Sequence, residues 1–263
     1  MDLRNKVVWI TGASSGIGEA LALECSRRGA KLVLSARNVQ ALEAVRTRCA
    51  DPASVLVVPM DVTKIEEMPA KAAEVLAARG QVDVLILNAG ISQRSRAIDT
   101  AIAVDEAILR TNFLGPVALT KAVLPSMVAR RAGTIVVVSS VVGFIGTPLR
   151  SSYSASKHAL HGFYDSLRAE HWQDGIQVSI ICPGYVRTEV SKNALKGDGS
   201  QHGVMDDGTA KGLAPDDCAR RLLDAVQAGR EEAYIGGSEL RGIYLKRFAP
   251  GLFSRFIRKA KVT

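Results

Sequence analysis

Tyr153 and Lys157 stand four residues apart in a stretch of helical period, so a phenol and an ammonium share one helix face. A free phenol, with a pKa of about 10, is a poor base at neutral pH, and a neighbouring cation favours its ionised form. The pair alone is a weak signal. Its neighbours add to it. Ser140 closes the apolar run TIVVVSS at 134–140, where a strand would deliver a hydroxyl to the edge of a sheet. Asn112 falls where a long helical pattern over about 99–131 is interrupted, just ahead of Gly115 and Pro116. Two readings of Asn112 stay open, a functional group at the site and local repair of a broken helix. A tyrosine that gives or takes a proton, a serine that steadies developing charge on oxygen and a lysine beside them could reduce a carbonyl or oxidise an alcohol. The hydride then needs a carrier.

Residues 6–18, KVVWITGASSGIG, supply a place for one. Val7 to Ile10 form an uninterrupted apolar run suited to a central parallel strand. Gly12, Gly16 and Gly18 follow, and residues 19–28 have helical period. A strand, a glycine turn and a helix N-terminus together present backbone N–H groups to a pyrophosphate. Gly12, Ser14, Ser15, Gly16, Ile17 and Gly18 are the candidate contacts. The plainer alternative is tight strand-to-helix packing. A second strand, KLVLS at 31–35, ends at Ala36 and Arg37, where an Asp or Glu would be expected for NAD; the arginine instead suits a 2′-phosphate, so the reading is NADP(H). The plainer reading of Arg37 is a solvated surface residue. VLVVPMDVT at 55–63 and VDVLILNAG at 82–90 are further strands, ending at Asp61, which can accept from an adenine amino group, and at Asn88, Ala89 and Gly90.

Helices alternating with strands, ending with helix 152–172, strand 176–182 and the Pro183–Gly184 loop, predict an α/β fold: a single Rossmann-type, doubly wound parallel sheet with helices on both faces. One domain over 1–239 is expected, including a mobile, polar, glycine-rich substrate loop at 189–214, followed by an extension at 240–263. With 47% apolar and 23% charged residues, the chain is ordinary for a globular protein. Its four cysteines lack metal spacing and a disulfide framework, which fits a reducing, cytoplasmic setting. No metal is expected, and His158, His161 and His171 are assigned surface or packing roles. No export signal or spanning segment is expected from MDLRNK or from the length of the apolar runs.

The formal charge is +8, yet seven basic residues and no acidic one lie at 241–263, which leaves +1 for residues 1–240. A nucleic-acid footprint is therefore not expected. Residues 240–258, LRGIYLKRFAPGLFSRFIR, interleave that charge with Phe, Leu and Ile. Two readings stay open: a basic amphipathic segment on an anionic membrane surface, at the inner face of a membrane, or an apolar face packed on the protein. Apolar residues Ala107, Leu114, Ala118, Ala122 and Val123 on the first long helix and Ala155, Ala159, Phe163 and Leu167 on the second predict a homodimer or homotetramer built on these helices.

Taken in order, TGASSGIG, NAG, Asn112, Ser140, Tyr153-x-x-x-Lys157 and PGYVRT resemble the short-chain dehydrogenase/reductase family over residues 5 to about 235. The resemblance implies that Tyr153 is the acid/base, Ser140 binds the substrate oxygen, Lys157 holds the nicotinamide ribose and lowers the tyrosine pKa, and Asn112 holds a water in a proton relay. It also implies Asp61 and Val62 at adenine, Asn88 at the adenosine ribose, and Pro183, Gly184, Val186 and Thr188 near the nicotinamide, Val186 and Thr188 at its carboxamide. The substrate would be a small-molecule carbonyl or alcohol. Trp9, Arg48-Cys49, the stretch Ser92-Gln93-Arg94-Ser95 and ASKHAL resemble more narrowly the dehydrogenase/reductase member 7 group, which is associated with membranes and apolar carbonyls such as steroids and retinoids. An N-terminal anchor like that of the group is not expected from MDLRNK. Val141, Val142, Ile145, Leu149 and Tyr185 are expected to line an apolar substrate site.

Overall fold

In a computed structural model, which describes residues 2–260, the apolar runs form a seven-stranded, all-parallel sheet. Its strands are β1 (Val7–Thr11), β2 (Lys31–Ser35), β3 (Val55–Val57), β4 (Val84–Leu87), β5 (Gly133–Val138), β6 (Ile176–Pro183) and β7 (Glu232–Ile235), in the order β3-β2-β1-β4-β5-β6-β7. Successive residues of a strand face opposite sides. Val8 and Ile10 therefore join one core with α1 (Gly16–Arg27), α2 (Val39–Thr47) and α8 (Pro215–Gln227), while Val7 and Trp9 join the other with α3 (Met68–Arg79), α5 (Gly115–Arg130) and α6 (Ser151–His171). Trp9 is fully buried and its indole N–H donates to Ser35 Oγ at 2.9 Å. Truncating so large a core side chain costs about 3–5 kcal/mol.

The chain winds outward from β1 to β3, then returns to place β4 on the other side of β1. The helices after β1 and β4 consequently leave opposite faces, and a crevice opens at the carboxyl ends of these two strands. Strand ends are shorter than the apolar runs suggest. β3 stops at Val57, two residues before Pro59, which cannot donate to a ladder. Asn88 to Gly90 lie beyond β4, and Ser139 and Ser140 lie beyond β5, although Ser139 N–H still donates to Ile181 O at 2.7 Å. The expected break near Asn112 is a π-helical turn, Arg110–Leu114, joining α4 (Ile102–Leu109) to α5 without interruption. The resulting helix, Ile102–Arg130, is long and apolar enough by composition to cross a membrane, but Val104, Ile108, Leu119, Val123 and Met127 are buried within the fold.

This burial corrects the outer-face assignment. Val123 and Leu167 belong to the core, whereas Leu114 and Ala155 are exposed and Phe163 stacks edge-on against Phe113 with ring centroids 6.2 Å apart. Segment 189–214 is also tied down more firmly than its composition suggests. Leu195 pairs with Gln93 and Gln201, Asp206 is buried, and α7 (Asp207–Ala210) follows. After Glu239 the chain forms α9 (Arg241–Phe248) and α10 (Pro250–Ile257), parted where Pro250 cannot continue the α9 hydrogen bonds. Ile243 and Phe253 pack on Val141 and Ile145, so these two residues are covered by the extension instead of lining an open apolar site. Lys261 of the basic set lies outside the described residues.

Candidate active site

The glycine turn occupies the crevice where β1 meets β4. Gly12 adopts φ +65°, and a Cβ there would stand 2.8 Å from the Ala89 backbone. A Cβ on Gly18 would stand 2.1 Å from Gly12 O, so α1 can start against the turn only with glycine. Ser15 sits at the α1 N-cap in extended conformation and its hydroxyl makes no capping bond. The first N–H groups of α1 lack intrahelical acceptors, as at every helix start, and with the helix dipole they suit a phosphate. These features fit a dinucleotide. Gly12, Ser14, Ser15, Gly16, Ile17 and Gly18 would hold its pyrophosphate.

Asn88 does more in the fold than its assignment to a ribose required. Its Nδ2 donates to Thr11 O at 3.1 Å and Gly12 O at 3.2 Å, and its backbone N–H donates to Thr11 Oγ1 at 3.1 Å. It thereby clamps the glycine turn onto the end of β4, next to Ala89 and Gly90. Arg37 is exposed at the end of β2, and among the described residues its guanidinium makes no hydrogen bond or ion pair. Asp61 lies close enough for Arg37 to act on it electrostatically. Burial raises the Asp61 pKa, but hydrogen bonds from Thr63, at 2.9 Å from its N–H and 2.8 Å from its hydroxyl, and then Arg37 outweigh it, holding the carboxylate below its usual range. Val62 is half-buried beside it.

The four candidate catalytic residues converge from three elements. Tyr153 and Lys157 share a face of α6, and Lys157 Nζ lies 5.8 Å from the Tyr153 ring centroid. The ammonium donates to Val138 O at 2.8 Å, and burial lowers its pKa to about 8, so it stays mostly protonated at neutral pH. Ser140 acts on the Tyr153 phenol in the direction that favours its ionised form, and its hydroxyl donates to Pro183 O at 3.3 Å. Asn112 is buried in the π turn. Its Oδ1 accepts from Ile91 N–H at 2.8 Å, while Nδ2 donates to Ile91 O at 2.9 Å and to Ser156 Oγ at 3.0 Å. That side chain braces the loop after β4 against the catalytic helix, and none of these bonds goes to a carbonyl of its own helix.

Two arginines bear on Tyr153 in addition to Lys157. Burial dominates and raises the phenol above its ordinary value; the opposing influences are Arg150 first, then Ser140, then Arg94, and the Lys157 ammonium stands 5.8 Å from the ring centroid. Arg150 did not stand out in the sequence, and Arg94 did so only as part of the stretch Ser92-Gln93-Arg94-Ser95. Their partner Asp206 is 112 residues from Arg94, and no short-range pattern marks such a pairing. His161 was assigned only a surface or packing role, yet it too sits close to the site. One turn beyond Lys157, its Nε2 is 3.0 Å from Ser139 Oγ, its ring meets Phe144 at 4.3 Å, and burial pushes its pKa down to about 4.

At the far end of the crevice, Pro183 ends β6, and Gly184, Val186 and Thr188 follow it. Val186 bridges to Leu213, and the Thr188 methyl lies 3.1 Å from where a Cβ on Gly16 would be, so this segment does reach the glycine turn. Among the described residues no group of three or more His, Cys, Asp or Glu is gathered as a metal would require.

A glycine-cradled helix N-terminus at a topological switch point, with a Ser, Tyr and Lys set one strand away, defines a dinucleotide-dependent oxidoreductase of the Rossmann type. Residues 6–199 match the model of the short chain dehydrogenase family. The chain is 44% identical over 263 residues to "Dehydrogenase/reductase SDR family member 7B" of Xenopus tropicalis, covering 97% of this chain and 85% of that one. It is likewise 44% identical over 266 residues to "Dehydrogenase/reductase SDR family protein 7-like" of Drosophila melanogaster, covering 99% and 82%. It therefore belongs to the short-chain dehydrogenase/reductase family. The fold is shared with a family member from Burkholderia phymatum in complex with NAD (TM-score 0.85, 24% identity, 96% of both chains). It is also shared with an alcohol dehydrogenase from Thermococcus sibiricus complexed with 5-hydroxy-NADP (TM-score 0.77, 27% identity, 90% and 98%).

Proposed function

We propose that this protein is an NADP(H)-dependent oxidoreductase that interconverts a carbonyl and a secondary alcohol on an apolar small molecule, with Tyr153 as the acid/base. The observation that carries the reading is the convergence of the Ser140 hydroxyl, the Tyr153 phenol and the buried Lys157 ammonium at the carboxyl ends of the strands, beside the glycine turn. A bound nicotinamide supplies or accepts the hydride. Tyr153 gives a proton to the substrate oxygen in reduction and takes it in oxidation, while Ser140 donates a hydrogen bond to that oxygen as negative charge develops. Lys157 keeps positive charge beside the phenol and has N–H groups to offer a ribose. Asn112 holds the loop after β4 and the catalytic helix in register. Arg37, exposed and with Asp61 as its electrostatic neighbour, favours a 2′-phosphate; Asp61 and Val62 flank the adenine, and Asn88 the adenosine ribose. The solved neighbours include both NAD and NADP complexes, so Arg37 carries the NADP assignment. A screen of apolar ketones and secondary alcohols with each reduced or oxidised cofactor, followed by absorbance of the reduced nicotinamide, tests the reading; equal turnover with NADH and NADPH would overturn its cofactor assignment.

The extension supports a second reading that runs alongside the first, in which the enzyme is cytoplasmic and rests peripherally on an anionic membrane surface. Ile243 and Phe253 are used in packing, but Phe248 is 81% exposed, Phe256 61%, Leu252 58% and Tyr244 54%, among Arg241, Lys246, Arg247, Arg255, Arg258 and Lys259. Apolar rings ringed by cations suit anionic headgroups. All four cysteines are free and buried, in keeping with a reducing compartment. The exposed faces of α4, α5 and α6 are proposed as the contact of a homodimer or homotetramer. Co-sedimentation with phosphatidylserine and with phosphatidylcholine vesicles tests the membrane reading, which fails if binding does not depend on lipid charge.

A further inference from the structure

Beyond β7 the chain reads Gly236-Gly237-Ser238-Glu239, and the short turn Ser238–Leu240 sends the Glu239 side chain back towards the end of β6. Its Oε1 accepts from the N–H of Gly237 at 3.0 Å and from the N–H of Tyr185, 54 residues earlier, at 3.1 Å. The carboxylate lies in a cradle of glycines. A Cβ on Gly184 would stand 1.9 Å from Oε1, one on Gly236 2.5 Å from it, and one on Gly237 3.1 Å from Oε2. None of these three glycines has a left-handed backbone, so what each contributes is the space that a side chain would fill and the carboxylate uses.

What the carboxylate holds is the segment that leaves β6 for the glycine turn. Gly184 N–H donates to Ile235 O at 2.8 Å, continuing the pairing of β6 with β7. Tyr185 comes next. Its carbonyl accepts from Leu213 N–H at 2.9 Å, and Arg187 N–H donates to Leu213 O at 2.9 Å, while its own N–H goes to Glu239. On the Leu213 side the partner is backbone, which any residue there would supply. On the other side it is one carboxylate, and a hydrogen bond to an ionised group is roughly twice as strong as one between neutral groups. Just before this point Pro183 O accepts from the Ser140 hydroxyl, and just after it Val186 and Thr188 run to Leu213 and the glycine turn. A single side chain thus fixes the backbone between the acceptor of Ser140 and the residues proposed to meet the nicotinamide.

We infer that Glu239 is a positioning residue for the nicotinamide half of the cofactor: it holds the Tyr185 backbone so that Val186 and Thr188 are presented to that ring, and it does so as a hydrogen-bond acceptor seated among glycines. This rests on the reading that a dinucleotide lies along the crevice with its nicotinamide beside Pro183 to Thr188. An amide in place of the carboxylate keeps an oxygen for both N–H groups, whereas a methyl group keeps none. A Cβ on Gly236 would push the carboxylate out of its cradle and mimic its loss. The adenosine half, at Gly12 to Gly18, Arg37 and Asp61, is held by the loops after β1, β2 and β3 and should not feel either change.

Calorimetric titration of the full chain compares each dinucleotide with the same molecule lacking its nicotinamide. The pairs are NADP⁺ with 2′-phospho-ADP-ribose and NAD⁺ with ADP-ribose, so a preference for either cofactor changes the absolute affinities and not the comparison. Glu239→Ala should weaken the dinucleotides by roughly tenfold, the scale of a lost charge-assisted hydrogen bond, and leave the truncated ligands as in wild type. Gly236→Ala should do the same, and Glu239→Gln should restore most of the affinity. Binding of the truncated ligands shows in the same experiment that each variant is folded. Equal loss for full and truncated ligands, no loss for either, or a Glu239→Gln protein as weak as Glu239→Ala would overturn the inference. Failure of the wild type to bind any of the four nucleotides would instead overturn the dinucleotide reading on which it rests.

Discussion

The crevice has two halves built by different means. On the nucleotide side, the groups that would meet a ligand are largely backbone: the turn at Gly12, the first N–H groups of α1 and the loop clamped by Asn88. They arise within one strand-turn-helix unit and its neighbouring strand. On the substrate side, the wall is assembled from distant side chains: Asp206 against Arg94 and Arg150, and Ile243 with Phe253 against Val141 and Ile145. The first half is held by geometry that only glycine permits. The second is held by pairings that many residue types could replace. Binding of the cofactor should therefore be intolerant of small backbone changes and indifferent to the far wall, while the far wall should tune chemistry and access.

The largest expected effect lies where the halves meet. Tyr153→Phe keeps the ring and removes the proton, and should lower kcat by about 10²–10⁴-fold while NADPH affinity, read by titration, stays near wild type. A parallel loss of cofactor affinity would show that the two halves are not separable at α6. Next in size, Arg37→Ala should weaken NADPH by roughly ten- to a hundredfold and leave NADH unchanged, since a charge-assisted hydrogen bond contributes about 1.5–3 kcal/mol. An equal effect on both cofactors would mean that Arg37 does not meet the 2′-phosphate.

A smaller effect concerns His161, which joins α6 to the loop carrying Ser140 through Ser139. Its pKa is about 4 in the fold against 6.5 for the free side chain, so between these values the unfolded chain binds more protons than the folded one. Stability should be unaffected above pH 6.5 and fall as the pH drops towards 4. The full shift corresponds to about 3 kcal/mol, less after screening by the solvent that reaches the ring and by Glu232 at 3.9 Å. Urea melts at pH 7 and pH 5 check it, and His161→Gln should remove that part of the pH dependence. The smallest effect expected on the chemistry is that of truncation after Glu239, which uncovers Val141 and Ile145. Phosphatidylserine binding should disappear, while light scattering should still find an oligomer if α4, α5 and α6 form its contact. A monomer would move the interface to the extension.

Much of this molecule was written in its local sequence. Continuous apolar runs of strand length between helical periods determine a doubly wound parallel sheet, because such strands must be covered on both faces. The spacing of Gly12, Gly16 and Gly18 after one of those runs determines a turn that side chains would block, and Tyr153 with Lys157 must share a face of α6, since four residues make about one turn of helix. Tertiary structure decided the rest. Whether the interruption at Asn112 breaks the helix or bulges it depends on how that side chain meets Ile91 and Ser156 across the fold. Val141 and Ile145 face the extension and not an open pocket because Ile243 and Phe253, about a hundred residues further on, come to rest there. Besides Lys157, Arg150 and Arg94 act on the Tyr153 phenol, and both are held by an aspartate from a glycine-rich loop. Pairings at such separations leave no periodic trace in a chain, since they are fixed by which strand ends the sheet order brings together.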